Sequence, residues 1–130
     1  MTDMIDHPPH YNHGKFEHAE VAIDWKLGGL LYNCTKYICR ARHKGDPRED
    51  LHKGLWYLER EIALLKTGEE FGLACVSVKY DPSEVSRDWK LSPKLASALW
   101  HICMCISIED IQYLEAAVDL ISAEIDLLTP

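Results

Sequence analysis

The chain has 130 residues and a mass of 14.9 kDa, with 47% hydrophobic and 27% charged residues. That is an ordinary globular composition, sufficient for one domain with a buried core. Fourteen basic against 21 acidic residues give a net charge of −7, which argues against a binder of polymeric nucleic acid because polyanions repel an acidic surface.

The first twenty residues are polar and rich in His and Pro, so no secretory leader is expected there. No apolar run approaches the roughly 18 residues of a membrane span. Neither a membrane partner nor a membrane location is expected. Cys34, Cys39, Cys75, Cys103 and Cys105 are odd in number and lie mostly among helical core positions. Reduced thiols in a cytoplasm fit that pattern better than a disulfide framework.

The charge is uneven. Residues 1–66 hold ten Lys/Arg and ten Asp/Glu, whereas residues 67–130 hold four and eleven. The acidity therefore belongs to the C-terminal half, and the N-terminal half is free to carry a local anion site.

In chain order, residues 1–16 read as an arm without regular structure, punctuated by Pro8, Pro9 and Gly14. A helical pattern over about 17–27 ends at Gly28-Gly29. The next helix, about 30–43, stops at Lys44-Gly45. Asp46-Pro47-Arg48-Glu49 is a helix start, with Asp46 as N-cap, Pro47 at the first helical position and Glu49 in the capping-box place. That helix runs to about Lys66, with Gly68 as its stop. Residues 67–92 read as a linker in which Val76, Val78 and Tyr80 alternate, as a short strand would. Ser92-Pro93 opens a helix to about Cys105. Ser107 with Asp110 then suggests a capping box for a last helix ending near Leu128.

Shifted against itself, the sequence repeats. Val21, Asp24, Trp25, Lys26 and Leu27 recur 64 residues later as Val85, Asp88, Trp89, Lys90 and Leu91. Leu31, Ile38 and Cys39 fall on Leu95, Ile102 and Cys103 at the same offset. At 63 residues, Glu61-Ile62 and Leu64-Leu65 fall on Glu124-Ile125 and Leu127-Leu128. In both copies a short helix precedes a helix pair. The expected fold is mainly α: one domain over 1–130, a compact bundle of two duplicated helical hairpins. Its parts are the arm 1–16, the first repeat 17–66, the linker 67–92 and a degenerate second repeat 93–130.

At 100° per residue the helix 30–43 has two faces. Leu31, Cys34, Ile38 and Ala41 form an apolar stripe. Asn33, Lys36, Tyr37, Arg40 and Lys44 form a separate polar arc. On the next helix Leu51, Leu55, Leu58, Ile62 and Leu65 make the stripe, while Asp50, Lys53, Tyr57 and Glu61 share a neighbouring arc. Gly54, at the edge of that arc, would permit close backbone approach.

In the second copy Asn33, Lys36, Tyr37 and Arg40 become Ser97, Trp100, His101 and Met104. Asp50, Lys53 and Tyr57 become Tyr113, Ala116 and Leu120. A merely solvated face would keep its charge in both copies. Its loss points to a site on the first repeat, with a scaffold or an interface on the second. Trp100, Met104, Tyr113 and Leu120 stand where the first copy is polar; either they cover the linker 69–92 or they form a subunit interface, and the interface is the favoured expectation, hence a homo-oligomer.

Segment 36–53 carries six cations against three carboxylates, net +3 in an acidic chain. Cations grouped on two adjacent helices suit a small phosphorylated ligand. Arg gives bidentate phosphate contact and Lys a point charge. Asn33 and Asp50 can bond a base or sugar, and Tyr37 and Tyr57 can stack on a ring. No P-loop, Gly-rich phosphate loop or H-E-x-x-H occurs. His7, His10, His13 and His18 have no nearby cysteine pair, so no metal site is assigned.

These residues resemble a known family. His10-Tyr11 and Gly14-Lys15-Phe16-Glu17 are followed by the run from Asn33 to Gly45 that contains Lys36-Tyr37 and Arg40. Glu49-Asp50-Leu51-His52-Lys53-Gly54-Leu55-Trp56-Tyr57-Leu58 completes the match. Together they are similar to the small phage nucleotide kinase-like family, over about residues 7–66. The resemblance implies a phage protein in the host bacterial cytoplasm. It implies a homo-oligomer that transfers a phosphoryl group from a nucleoside triphosphate to a deoxynucleoside monophosphate without a P-loop.

On that reading Lys36, Arg40, Lys44 and Lys53 neutralise phosphates, since phosphoryl transfer needs mainly positioning and charge stabilisation. Asp50 orients the acceptor or holds a metal, and His10 and Tyr11 close over the site. Mg2+ is a candidate cofactor, although the signature has no dedicated carboxylate cluster. An all-α nucleoside triphosphate pyrophosphohydrolase is the first alternative, with Glu17, Glu20, Asp24 and Glu61 as its carboxylates, but it lacks E-E-x-x-E. A non-catalytic binder of nucleotides or of a host protein is the second. Arg40→Ala and Lys36→Ala are expected to abolish activity or binding while leaving the fold intact.

Overall fold

A computed structural model describes residues 16–41, 45–68 and 79–128, the side chains of 106–108 excepted. Six helices follow one another: α1 (His18–Asp24), α2 (Gly29–Arg40), α3 (Pro47–Lys66), α4 (Pro82–Asp88), α5 (Pro93–Ile108) and α6 (Gln112–Leu127). The protein is a mainly α helical bundle. Helices α2 and α3 form one antiparallel hairpin and α5 and α6 another. The hairpins meet through α3 and α6, while α1 packs on α2 and α4 on α5.

The expected starts and stops are mostly present. The Asp46 carboxylate accepts from the Arg48 N–H at 2.9 Å with Pro47 in the first turn. The Ser92 hydroxyl accepts from the Leu95 N–H at 3.3 Å. Gly45 and Gly68 adopt φ of 67° and 83°, as chain reversal there requires. The stripe residues Leu31, Cys34, Ile38, Ala41, Leu51 and Leu58 are buried.

Two expectations need correction. The linker 67–92 ends earlier than expected, because residues 82–88 are helix α4, the short helix that the repeat implied before the second pair, capped by the Asp81 carboxylate at the Ser83 and Glu84 N–H groups. Ser107 lies inside α5 and so does not open the last helix. Glu109 at φ 60° closes that helix, and the Asp110 side chain accepts from the Gln112 N–H at 2.9 Å. The left-handed residue turns the chain at once, and α6 starts at Gln112 with Ile111 as its N-cap, later than expected. Residues 76–78 of the expected strand, and Cys75, lie outside the described residues.

The duplication extends to backbone detail. Helices α1 and α4 both have seven residues and begin 64 residues apart, as do the starts of α2 and α5. Lys26 and Lys90 follow α1 and α4 at φ 54° and 57°. The Lys26 N–H donates to Ile23 O and the Leu27 N–H to Ala22 O, while Lys90 and Leu91 repeat this onto Arg87 O and Ser86 O. Both are Schellman closures, with a hydrophobic residue following the left-handed lysine.

The repeats are also tied to each other crosswise. Trp25 Nε1 donates to Tyr80 O at 2.7 Å, and Trp89 Nε1 donates to Phe16 O at 2.7 Å. The Asp24 carboxylate accepts from the Tyr80 N–H at 3.0 Å, and the Asp88 carboxylate from the Phe16 N–H at 2.9 Å. Phe16 and Tyr80 are themselves 64 residues apart, and their rings meet edge-on at 5.1 Å. Such reciprocity is the mark of a two-fold, isologous contact. The two repeats pack as the halves of a symmetric dimer would, within one chain.

Candidate functional site

Helices α2 and α3 approach closely at Gly54. A Cβ added there would lie 3.3 Å from Cys34 O and 3.4 Å from Tyr37 Cβ. The close approach expected at this glycine is present, and it brings the two polar arcs together. The rings of Tyr37 and Tyr57 stack with centroids 6.1 Å apart and planes 13° from parallel.

Three cations surround the Tyr37 ring. Lys36 Nζ stands 4.9 Å from its centroid, Arg40 Cζ 5.6 Å and Lys53 Nζ 5.8 Å. Each is within cation–π reach. Arg40 Nε also lies 3.5 Å from Asp50 Oδ2, and Lys53 Nζ lies 3.2 Å from Glu49 Oε1. Asp50 as a whole residue is only 4% exposed. Burial pushes its pKa above the usual carboxylate range, and the Arg40 and Lys53 charges oppose that rise.

Among the expected site residues, Lys36, Tyr37, Arg40, Asp50, Lys53 and Tyr57 thus share one surface across α2 and α3. Asn33 is placed differently: its amide nitrogen donates to Gly29 O at 2.9 Å, so it is engaged by its own helix. His10, Tyr11 and Lys44 lie outside the described residues.

The polar arcs are less solvated than helical spacing alone implied, since Asp50 and Glu61 are buried. α3 is flanked by α2 on one side and α6 on the other, so carboxylates at the edges of its arc are covered. Burial raises the Glu61 pKa as well. The Arg40–Asp50 contact also corrects the expectation for Arg40→Ala. Removing the guanidinium would leave a buried carboxylate uncompensated, so that variant tests stability together with binding.

The carboxylates considered for a metal set have other duties. Asp24 accepts from the Lys79 and Tyr80 N–H groups, and Glu20 Oε2 accepts from the Tyr80 hydroxyl at 3.1 Å. Among the described residues no group of three His, Cys, Asp or Glu side chains is arranged to hold a metal ion. His18, one of the four histidines in the first eighteen residues, is a core residue. Its Nε2 lies 2.8 Å from Thr35 Oγ1, and burial, reinforced by Lys36, lowers its pKa to about 4. The described cysteines Cys34, Cys39, Cys103 and Cys105 are buried thiols. Desolvation pushes the Cys34 thiol up to about 12, so it is not a nucleophile.

Sequence reasoning missed the crosswise contacts at Trp25 and Trp89. Their repeated Asp-Trp pair was the only signal, and its partners are 55 and 73 residues away.

Among the described residues, no helix is long and apolar enough to cross a membrane. A family model described as a protein of unknown function (DUF3310) matches residues 5–59, which covers most of the first repeat and none of the second. No curated protein and no solved structure shows significant similarity to the chain.

Proposed function

We propose that the α2–α3 face binds a nucleotide by its phosphates, and that the chain is a nucleotide kinase without a P-loop. One arrangement carries the reading: Lys36, Arg40 and Lys53 converge on the Tyr37 ring, with Tyr57 stacked beside it. Exposed Lys53 and half-buried Lys36 and Arg40 supply charge for phosphate oxygens, and the aromatic pair offers a surface for a base. The second repeat lacks every one of these side chains at the equivalent positions.

In the reaction, a phosphate oxygen of a deoxynucleoside monophosphate attacks the γ-phosphorus of a nucleoside triphosphate. The bond from that phosphorus to the β–γ bridging oxygen breaks, and two diphosphates result. Lys36 and Lys53 hold the non-bridging oxygens, and Arg40, steadied by Asp50, faces the charge that spreads over the transferred group. The residues present do not fit a protein-held Mg2+: Asp50 is buried against Arg40, and Glu49 is paired with Lys53.

A non-catalytic nucleotide binder is the second reading. Arg40 and Lys53 each already face a carboxylate, which lessens the charge free to act on a transferring group. Subunits assembled as a homo-oligomer, in a host cytoplasm, complete the proposal.

Product analysis separates the readings. The protein is incubated with dTMP or dGMP and a triphosphate. Diphosphates are expected from a kinase. Monophosphate and pyrophosphate from the triphosphate alone would establish a pyrophosphohydrolase and overturn the proposal. A nucleotide-dependent thermal shift without turnover would leave the binder.

A further inference from the structure

The duplication provides an internal control for a second site. In the first repeat the Tyr32 ring lies edge-on against His18, with centroids 4.8 Å apart. The 64-residue shift carries Tyr32 to Ala96 and His18 to Pro82. Two rings become a methyl group and a pyrrolidine, and space opens. A groove of about 410 Å³ lies there, between α4 and α5.

Its lining is chemically selective. Trp100, 42% exposed, offers an indole face. Arg87, exposed in the last turn of α4, forms no ion pair among the described residues. Ser83, Ser86 and Ser97 add hydroxyls. His101 Nδ1 lies 2.7 Å from Ser97 O and so donates its proton to that carbonyl. The Ser97 hydroxyl can then only accept from His101, at 3.4 Å, and its own proton is left for another partner.

We propose that this groove binds a planar aromatic anion. The ring stacks on Trp100, the negative group meets Arg87, and polar atoms on the ring edge bond the serine hydroxyls. Nucleoside monophosphates and aromatic sulfonates or carboxylates share this chemistry. The groove is lined by residues of α4, α5 and the turn between them, none of them on the α2–α3 face, so it does not rest on the phosphate-binding role of that face.

Nitrogen-15 NMR of the full chain tests this. Four tryptophans give four indole N–H signals, and those of Trp25 and Trp89, bonded inside the fold, serve as references. Deoxyadenosine monophosphate and 8-anilinonaphthalene-1-sulfonate are titrated separately. A saturable movement of the Trp100 signal is expected with at least one probe, and which probe acts identifies the ligand class. Ala96→Tyr, which restores the aromatic residue of the first repeat, should abolish the response with the reference signals unmoved. Arg87→Ala, at an exposed position, should weaken binding at least about tenfold. A stationary Trp100 signal with both probes would overturn the proposal. So would a response that survives Ala96→Tyr in a folded protein, or unchanged affinity in Arg87→Ala. Should Ala96→Tyr fail to fold, Arg87→Ala decides alone.

Discussion

Trp25 and Trp89 occupy equivalent positions of the two repeats, and each donates its indole N–H to a backbone carbonyl of the other. Each donation has the same length, 2.7 Å, and each tryptophan is flanked by an aspartate that accepts an N–H from the residue whose carbonyl the neighbouring indole uses. Phe16 and Tyr80 are therefore gripped at both N–H and C=O by the opposite repeat. This mutual hold joins the halves independently of the α3–α6 contact.

Symmetry makes the two tryptophans comparable probes. Trp25→Phe and Trp89→Phe each remove one buried donor and strand one carbonyl. A loss of about 1–3 kcal/mol is expected from each, by urea denaturation. Losses of similar size in the two variants would support the reciprocal contact. A neutral result in either would show that its indole bond contributes nothing.

Lys26 and Lys90 occupy the left-handed region that glycine adopts without strain. Lys26→Gly and Lys90→Gly are each expected to stabilise the fold by up to about 1 kcal/mol, because removing a Cβ at positive φ relieves more than the added chain entropy costs. Thermal unfolding measures it, as an upward shift of Tm.

Gly54 holds the candidate site together. A larger residue there must push the α2 backbone at Cys34 and the Tyr37 side chain. Gly54→Leu is expected to cost about 1–3 kcal/mol of stability. It should also separate the Tyr37 and Tyr57 rings, seen as weaker phosphate-ligand binding at a temperature where the variant remains folded.

His18 should leave a signature in pH. Its folded pKa, about 4, lies below the ordinary 6.5. The unfolded chain therefore binds a proton that the native state refuses, and stability rises with pH through that interval. His18 favours folding fully above pH 6.5 and loses about 3 kcal/mol of that as pH falls to 4. Burial of Asp50 and Glu61 acts in the opposite sense, because their raised values favour the native state as pH falls. Comparison with His18→Gln isolates the histidine: its unfolding free energy should vary less between pH 6.5 and 4. Identical slopes in the two proteins would show that His18 is not held neutral.

The periodic part of the fold was legible in the sequence. Leu31, Cys34, Ile38, Leu51 and Leu58 repeat at helical spacing, and Asp46-Pro47 and Ser92-Pro93 mark helix starts. The repeat was legible because Asp-Trp-Lys-Leu does two local jobs at once, ending a helix and aiming an indole. The target of that indole was not, because it depends on where the chain returns 55 to 73 residues away. Burial of Asp50 and Glu61 escaped for a related reason. Helical spacing places a side chain on an arc, but only the neighbouring helices α2 and α6 decide whether that arc meets water. The site itself was half legible: Tyr37, Lys36, Arg40 and Lys53 share an arc by spacing, whereas the stacking of Tyr37 on Tyr57 depends on the close approach at Gly54.

The most direct measurement is the affinity of a nucleoside triphosphate for the wild-type chain and for the double variant Lys36→Ala, Lys53→Ala, by isothermal titration calorimetry at two salt concentrations. Both lysines sit at the surface of the site without supporting the core, so the fold should persist. Saturable binding that weakens with salt, and a loss of at least about tenfold in the double variant, is the expected result. No binding by the wild type, or the same affinity in both proteins, would contradict a phosphate site on the α2–α3 face.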